Sequence, residues 1–275
     1  MLKGNRDMIS SSQIRQSNHN IAMLALDDAR LVIKQGFRGV WTLNNKAQGH
    51  KFDPVTEIDQ NTEKVMRARL RSSGHGICGE EEGDEEGITP FYWLIDPIDG
   101  TRAFLTGMPT FMTLLALASE HKPLLGYADQ PILEERFWGN IDESFLIKGN
   151  QSTKLQTRKT KILAQARAAT TSPDLFTTPT QQAAFRALCA KTQMMRYGGD
   201  AYNYCMLAAG HIDIVVECGL QSYDILPLIP IIKGAGGTVL NWQGTEEFTG
   251  SVVAACNEHL AHETLEIMHK TTQAT

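Results

Sequence analysis

Apolar residues in the first half of the chain repeat at two different periods. Small and apolar side chains recur at helical spacing over residues 13–35, and Gly36 follows where a left-handed helix cap is expected. A second helix is predicted after Thr56, because Thr56 and Asp59 have the spacing of a capping box. Over residues 91–150 the apolar runs are short and end in Gly or Asn, which predicts a meander of antiparallel strands.

In the second half of the chain, short apolar runs alternate with helical patterns. Strands are predicted at residues 166–172, 211–219, 238–242 and 251–256. Helices are predicted at residues 180–192, 201–210, 223–237 and 257–270. This alternation indicates a layered α/β half after the antiparallel half, so the fold class is α/β (α+β). The expected seam lies near residues 149–161, which gives an N-terminal unit 1–152 and a C-terminal unit 153–275.

Composition and charge narrow the class of partner. The formal net charge is -5 and the pI is about 5.9, which disfavours nucleic acid and anionic membranes as partners. An acidic protein that binds an anionic ligand needs positive charge from elsewhere, which favours a cation cofactor. The polar N-terminus, the lack of a membrane-spanning apolar run and five scattered cysteines predict a cytoplasmic protein without a disulfide framework or zinc site.

The segment WLIDPIDGT, residues 93–101, contains the densest group of candidate ligands. The strand predicted before it ends at Asp96, a proline turn follows, and Asp99 comes two residues beyond that proline. Both carboxylates can converge on one side of the turn. Gly100 and Thr101 follow at a predicted helix N-terminus, whose N–H groups suit a phosphate oxygen, and oxygen ligands beside an anion site suit Mg²⁺. Taken alone, Asp-Pro and Asp-Gly are common turn dipeptides, so a structural turn is the competing interpretation.

Other acidic and glycine-rich segments accompany this turn. The combination resembles the signature blocks of the inositol monophosphatase superfamily. The matching segments are VTEID at 55–59, GEE at 79–81, WLIDPIDGT at 93–101 and YDILPLIPIIKGAGG at 223–237. The resemblance is collinear from about residue 13 to the C-terminus, so it covers nearly the whole chain.

The resemblance implies a five-layered αβαβα sandwich and Mg²⁺-dependent hydrolysis of a small phosphate ester, with two or three ions per active site. The implied metal ligands are Glu80, Asp96, the Ile98 carbonyl, Asp99 and Asp224. The implied catalytic and phosphate-binding groups are Glu80, Asp59, Gly100 and Thr101. In this scheme Thr101, backed by Asp59, orients a metal-activated water that attacks phosphorus, and no covalent intermediate is needed.

Two of these carboxylates have structural alternatives. Asp59 is a natural capping-box partner of Thr56, and Asp224 can cap a helix that has Pro227 in its first turn. Residues 81–87 are predicted to form a solvated acidic loop rather than to bind metal.

Three further residues bear on the substrate. Asp200 and Glu217 add carboxylates that suit the ammonium group of histidinol phosphate, whereas inositol phosphate offers only hydroxyls. Arg102 stands where the inositol-selective branch of the superfamily usually has Asn or a similar polar residue. The competing interpretations are a helix N-cap for Asp200 and a surface salt bridge for Arg102. The segments that resemble the histidinol-phosphate phosphatase branch are 127–139, 170–176 and 196–217.

The sequence therefore predicts a histidinol phosphatase of histidine biosynthesis that acts on a small phosphorylated metabolite. An inositol-1-phosphatase or a broad small-metabolite phosphatase remains the nearest alternative. A catalytically silent, metal-binding regulatory protein is the alternative of another class. A homodimer is expected by analogy with the superfamily alone.

Overall fold

The computed structural model describes residues 11–45, 54–248 and 250–272. The prediction made for the polar N-terminus falls partly on residues 1–10, which lie outside the described residues. The α-helices are α1 Ser11–Gly36, α2 Glu57–Leu70, α3 Thr101–Leu105, α4 Pro179–Cys189, α5 Asp200–Ala208, α6 Ser222–Ile225, α7 Leu228–Gly234 and α8 Glu258–Thr272.

The strands form two large sheets and one two-stranded ribbon. The ribbon pairs β1 Leu43–Asn45 with β2 Pro54–Thr56. The strands of the first large sheet are β3 Gly76–Gly79, β4 Gly83–Glu85, β5 Phe91–Asp99, β6 Met112–Ser119, β7 Lys122–Gln130, β8 Glu135–Gly139, β9 Ser144–Lys148 and β10 Gln151–Lys154. The strands of the second sheet are β11 Arg167–Thr170, β12 Met194–Tyr197, β13 Ile214–Cys218, β14 Thr238–Asn241 and β15 Ser251–Ala255.

The two large sheets are formed by successive parts of the chain, β3 to β10 and then β11 to β15. The order of the first sheet is β10-β9-β8-β7-β6-β5-β3-β4; β3 and β5 run parallel, and the other pairs are antiparallel. The order of the second sheet is β12-β11-β13-β15-β14, in which β11 runs parallel to both of its neighbours. The chain passes between the sheets after Lys154 and enters the second sheet at Arg167.

The layers stack as helix, sheet, helix, sheet, helix. Helices α1 and α2 pack on the outer face of the first sheet, where Leu26 and Met66 join a core with Trp93 and Leu115. Helices α5 and α7 lie between the sheets in a shared core, and α4 and α8 cover the far face of the second sheet. The predicted five-layered αβαβα sandwich is confirmed. Because the middle helices touch both sheets, residues from both halves can meet where β5 ends.

Two helix predictions are wrong in detail. The single helix predicted over residues 223–237 is two helices, because Pro227 has no N–H to donate at the break between α6 and α7. Gly36 is the last residue of α1 rather than a left-handed cap, and the left-handed residue there is Arg38, with φ of 58°.

Three strand predictions also need correction. Strand β5 does not stop at Asp96 but continues to Asp99. Asp96 pairs with Leu114 and Asp99 with Met112, so one extra residue bulges out around Pro97, which has no N–H for the ladder. Part of the predicted acidic loop forms the edge strand β4, and β12 was not predicted, because its sequence MMRY is short and partly exposed.

Within the described parts of the chain, no helix combines the length and apolar character needed to cross a membrane.

Candidate active site

The site begins at the bulged end of β5. Six consecutive residues of this strand, Trp93 to Ile98, are buried, and they include Asp96, which is 2% exposed and lies three residues before the strand ends at Asp99. Beyond the bulge, the Thr113 hydroxyl donates to the Pro97 carbonyl at 2.9 Å, which ties the turn to β6. The bulge lets Asp99 approach the same side as Asp96, because it breaks the alternation of side chains along a regular strand.

The third carboxylate comes from the other half of the molecule. Asp224 lies in α6, where its Oδ2 accepts from the Gln221 N–H at 2.7 Å in a capping box. It is therefore the third residue of the helix and not its N-cap, which is Gln221. One carboxylate oxygen from each of Asp96, Asp99 and Asp224, the carboxylate triad, lies within 4.8 Å of the other two.

The electrostatics of this triad fit a bound cation. Burial raises the pKa of Asp96 well above its usual value, and the neighbouring Glu80, Asp99 and Asp224 raise it further. Burial likewise raises the pKa of Asp99, with Asp200 and Asp224 adding to the shift. Asp96 Oδ1 is buried and has no hydrogen-bond partner among the described residues. Oxygen ligands crowded together with one acceptor unsatisfied match the coordination preference of Mg²⁺, so these residues fit the metal.

Glu80 and Ile98 lie beside the triad. The Glu80 N–H donates to the Ile95 carbonyl at 3.2 Å, which places Glu80 next to β5. Its charge acts on both Asp96 and Asp59, and its residue lines the same cleft as the triad. The Ile98 carbonyl accepts from the Thr101 hydroxyl at 3.1 Å.

Asp59 is placed differently from the other predicted residues. It is the third residue of α2, and its Oδ2 accepts from the backbone N–H and the hydroxyl of Thr56 at 2.8 and 2.5 Å, so the predicted capping box is present. No hydrogen bond joins Asp59 to Thr101 among the described residues, because the Thr101 hydroxyl donates to Ile98. Burial raises the pKa of Asp59, against the lowering by its Thr56 hydrogen bonds. Its catalytic role stays a prediction.

The turn that is predicted to bind phosphate, residues 100–101, follows the triad directly. Gly100 precedes α3 with φ of 82°, a conformation that favours glycine. A Cβ at this position would lie 2.9 Å from Asp200 Oδ2, so the Asp200 carboxylate sits against the glycine backbone. Thr101 begins α3 as predicted, and the first N–H groups of a helix have no intrahelical partner.

Asp200 and its neighbour connect the second half of the chain to the triad. Asp200 has φ of 45° and follows Gly199, which is the N-cap of α5 in its place. The Ala201 N–H donates to Asp99 Oδ2 at 2.6 Å. Burial raises the pKa of Asp200 to about 6, opposed by the positive charge of Arg102. The charges of Arg102 and Asp200 therefore interact beside this turn.

Glu217 is fixed from an adjacent strand. It lies in β13, is 3% exposed, and accepts from the N–H and hydroxyl of Thr171 at 2.9 and 2.6 Å. Thr171 directly follows β11, which runs parallel to β13, so the two strand ends meet. Burial raises the pKa of Glu217 to about 7, and Thr171 opposes this shift.

One cleft of about 1020 Å³ joins these groups. The predicted site residues that line it are Glu80, Asp96, Ile98, Asp99, Gly100, Thr101, Arg102, Asp200, Glu217 and Asp224. Asp59 is the predicted site residue that does not line it. Sequence reasoning missed the contacts that Thr171, Ala201 and Gln221 make to these carboxylates. All three donate through a backbone N–H, which leaves no side-chain signal, and Thr171 also donates its hydroxyl. Sequence reasoning also missed Arg196, which lines the cleft beside Tyr197.

The chain is similar to known proteins over most of its length. The sequence model described as the Inositol monophosphatase family matches residues 15–273. A chloroplastic bifunctional phosphatase of Arabidopsis thaliana is 40% identical over 81% of this chain, which spans 64% of that protein's length. A histidinol-phosphatase of Mycobacterium tuberculosis is 29% identical over 77% of this chain and 83% of its own length. The solved structure of an inositol monophosphatase from Zymomonas mobilis matches with a TM-score of 0.81 at 36% identity, over 92% of this chain and 98% of that one.

Proposed function

We propose that this chain, which belongs to the inositol monophosphatase family, is a Mg²⁺-dependent phosphomonoesterase that hydrolyses L-histidinol phosphate to L-histidinol and phosphate. The observation that supports metal-dependent hydrolysis is the carboxylate triad, in which Asp96 is buried, Asp99 and Asp224 are partly buried, and the three negative charges lie close together. Family membership supports a phosphatase, and the substrate is the finer part of the proposal.

The proposed metal-binding groups are the triad, Glu80 and the Ile98 carbonyl. When bound, Mg²⁺ lowers the pKa of a coordinated water and offsets negative charge that develops on the phosphoryl group. The chain's own residues do the positioning. The Ala201 N–H fixes Asp99, and the Gln221 N–H fixes Asp224, so both carboxylates are oriented before substrate arrives.

Phosphate binding falls to the turn after Asp99. The backbone N–H groups of Gly100 and Thr101 are the proposed donors to phosphate oxygens, since glycine leaves the turn open to a close approach. Thr101 is the proposed residue that orients the attacking water, and its hydroxyl is already held by the Ile98 carbonyl. Arg102 supplies positive charge next to the same turn. Donors placed before the reaction stabilise the developing charge without reorganising.

The substrate proposal rests on charge. Histidinol phosphate has an anionic phosphate and a cationic amine, and Asp200 and Glu217 line the cleft as carboxylates beyond the triad. A carboxylate paired with an ammonium forms a charge-assisted hydrogen bond, which a hydroxyl of inositol forms less strongly. The name of the Mycobacterium relative agrees with this proposal, whereas the Zymomonas neighbour favours inositol phosphate as the second candidate.

The test compares phosphate release from L-histidinol phosphate and myo-inositol 1-phosphate in Mg²⁺ buffer. The wild type is expected to have the higher kcat/KM for histidinol phosphate. Asp200→Asn is expected to lower that value about 10- to 150-fold, because a hydrogen bond between charged groups is worth about 1.5–3 kcal/mol, while the value for inositol phosphate changes less. Asp142→Asn, an exposed carboxylate outside the cleft, is the matched control.

Each result has a distinct meaning. A preference for inositol phosphate overturns the substrate and keeps the phosphatase. Release from neither ester overturns both of these substrates, and release from no ester when fructose 1,6-bisphosphate is added to the comparison overturns the phosphatase and favours the silent regulatory protein. Equal loss on both esters in Asp200→Asn contradicts the role of Asp200 as an amine contact.

A further inference from the structure

A buried ion pair of α2 lies beneath the turn that carries Glu80. Glu63 is 0% exposed and Arg67 is 2% exposed, one helical turn apart, and Arg67 Nε donates to Glu63 Oε1 at 2.8 Å. The acidic turn, defined here as residues 79–83, rests on this pair. Glu63 Oε2 accepts from the Glu81 N–H at 2.8 Å, and Glu63 Oε1 also accepts from the Glu82 N–H at 3.1 Å.

The contact closes both ends of the acidic turn. Arg67 Nη2 donates to the Gly83 carbonyl. At the other end, any Cβ on Gly79 would collide with the Glu63 carboxylate and crowd Arg67 Nη2, so this residue allows the turn to seat on the pair. One side-chain pair thus holds the whole turn, and Glu63 has three donors to balance its burial.

Glu80 lies in the middle of this turn. Its own N–H donates to the Ile95 carbonyl of β5, and the next N–H along the chain, that of Glu81, donates to Glu63. The backbone on both sides of Glu80 is therefore anchored, one side to the strand that ends in the triad and the other to α2. Such anchoring fixes the direction in which the Glu80 side chain leaves the backbone, toward the cleft that it lines with Asp96.

We propose that Glu63 is a positioning residue that, together with Arg67, holds Glu80 for divalent-cation binding and so sets the affinity of the site for Mg²⁺. The inference rests on the proposed function, since it takes Glu80 as a metal ligand. Glu63 touches neither the cleft nor the triad, so it acts through the acidic turn alone. A residue that orients a ligand typically changes metal affinity 10–100-fold when it is replaced.

The test titrates metal-free full-length chain with Mg²⁺ in a calorimeter, without substrate. Glu63→Gln keeps the size of the side chain but removes the charge and leaves too few acceptors for three donors. We expect its Mg²⁺ dissociation constant to rise about 10-fold or more. The matched control is Asp129→Asn, another buried carboxylate, 1% exposed, that accepts from Arg30 and Arg136 and lies outside the cleft. It is expected to lower Tm and to leave the Mg²⁺ dissociation constant unchanged.

A second variant separates positioning from stability. Glu63→Met combined with Arg67→Met removes both charges, so no buried ion is left unpaired, and Tm should recover relative to Glu63→Gln. Mg²⁺ affinity should stay low, because the acidic turn still lacks its acceptor. If Glu63→Gln does not fold, this double variant decides the question.

The outcomes distinguish this inference from the proposed function. Wild-type Mg²⁺ affinity in Glu63→Gln, or in the double variant, overturns the positioning role. A wild type that binds Mg²⁺ but releases no phosphate overturns the proposed function, and the Mg²⁺ dissociation constants of the Glu63 variants then decide the positioning role alone. A wild type that binds no Mg²⁺ overturns both.

Discussion

Asp96→Asn removes one negative charge from the most crowded point of the site. The side chain keeps its size, and the new amide can donate to a neighbouring carboxylate instead of repelling it. In the metal-free protein, Asp96 is buried next to Glu80, Asp99 and Asp224, and one of its oxygens has no partner among the described residues. We therefore expect the variant to be more stable than the wild type without metal and inactive with it.

The size of the effect follows from the burial of this carboxylate. Leaving a buried polar group unsatisfied costs about 1–3 kcal/mol, and more when it is charged, so the metal-free variant should gain about that much. For a chain of this length, each kcal/mol shifts Tm by about 2–4 °C. Mg²⁺ at about 100 times its dissociation constant stabilises the wild type by about 2.7 kcal/mol, which offsets most or all of the metal-free advantage of the variant, because the variant lacks a shared ligand.

The pH dependence of the metal-free protein's stability is a second test of the expected stabilisation by Asp96→Asn. The pKa of Asp96 is raised in the folded protein, so the unfolded chain loses this proton more readily than the folded one. The stability linked to this group is present below its unfolded pKa, about 3.9, and is lost as pH rises through the raised folded value. The stability that metal-free Asp96→Asn gains over the wild type should therefore increase as pH rises from acid conditions.

The assay is thermal unfolding followed by the fluorescence of the four tryptophans, at alkaline pH, with EDTA or with saturating Mg²⁺. The exposed Asp142→Asn serves as control and should stay within about 0.5 kcal/mol of the wild type in both buffers. A metal-free Asp96→Asn that melts below the wild type, or that gains as much from Mg²⁺, would refute this reasoning.

Three further changes test separate parts of the site. Gly100→Ala should lose most activity, because φ is 82° and the new Cβ would meet Asp200 Oδ2. The control is Gly149→Ala, which has φ of 58° and open space around it. It should lower the free energy of unfolding by a similar backbone cost of about 1–2 kcal/mol and keep its activity. In the metal-free wild type, stability linked to Glu217 should be lost as pH rises from 4.5 to about 7, because folding raises the pKa of this group to about 7. Glu217→Gln should remove this loss. An unchanged pH profile of Tm in the variant would count against the expectation. Thr171→Val removes a 2.6 Å hydrogen bond to Glu217 and should raise KM for histidinol phosphate without changing the Mg²⁺ requirement, which initial rates at varied Mg²⁺ would measure.

Local sequence signals predict the parts of the site that are contiguous in the chain. Asp96, Asp99, Gly100 and Thr101 fall within six residues, so a strand, a proline turn and a helix start were enough to place them together. Asp224 lies far along the chain, and only the resemblance to a family linked it to this turn. In the structure α6 lies against β5 and β6, and this packing brings Asp224 to the turn.

The contacts that hold these residues could not be predicted from the sequence. The N–H of Ala201 and the N–H of Gln221 donate to ligand carboxylates, and a backbone group is the same in every residue but proline. Glu63 and Arg67 form an i,i+4 pair, which in a sequence is typical of an exposed helix face. Their burial depends on the acidic turn, which packs on α2 only in the folded chain.

The break in the helix predicted over residues 223–237 did have a signal. Pro227 lies inside that segment and removes a donor in the middle of a helix. The same proline is acceptable in a first turn, so the two interpretations differ only in where the helix begins. In the structure α6 begins at Ser222, which puts the proline too late for a first turn and starts a second helix after it.

The most direct test of the account is phosphate release from L-histidinol phosphate by the metal-free wild type, before and after Mg²⁺ is restored, with Asp96→Asn measured in parallel. We expect the wild type to release phosphate only in the presence of Mg²⁺ and Asp96→Asn to release none in either buffer. Equal release in EDTA and in Mg²⁺, or wild-type release by Asp96→Asn, would contradict a function in which the carboxylate triad holds a divalent cation.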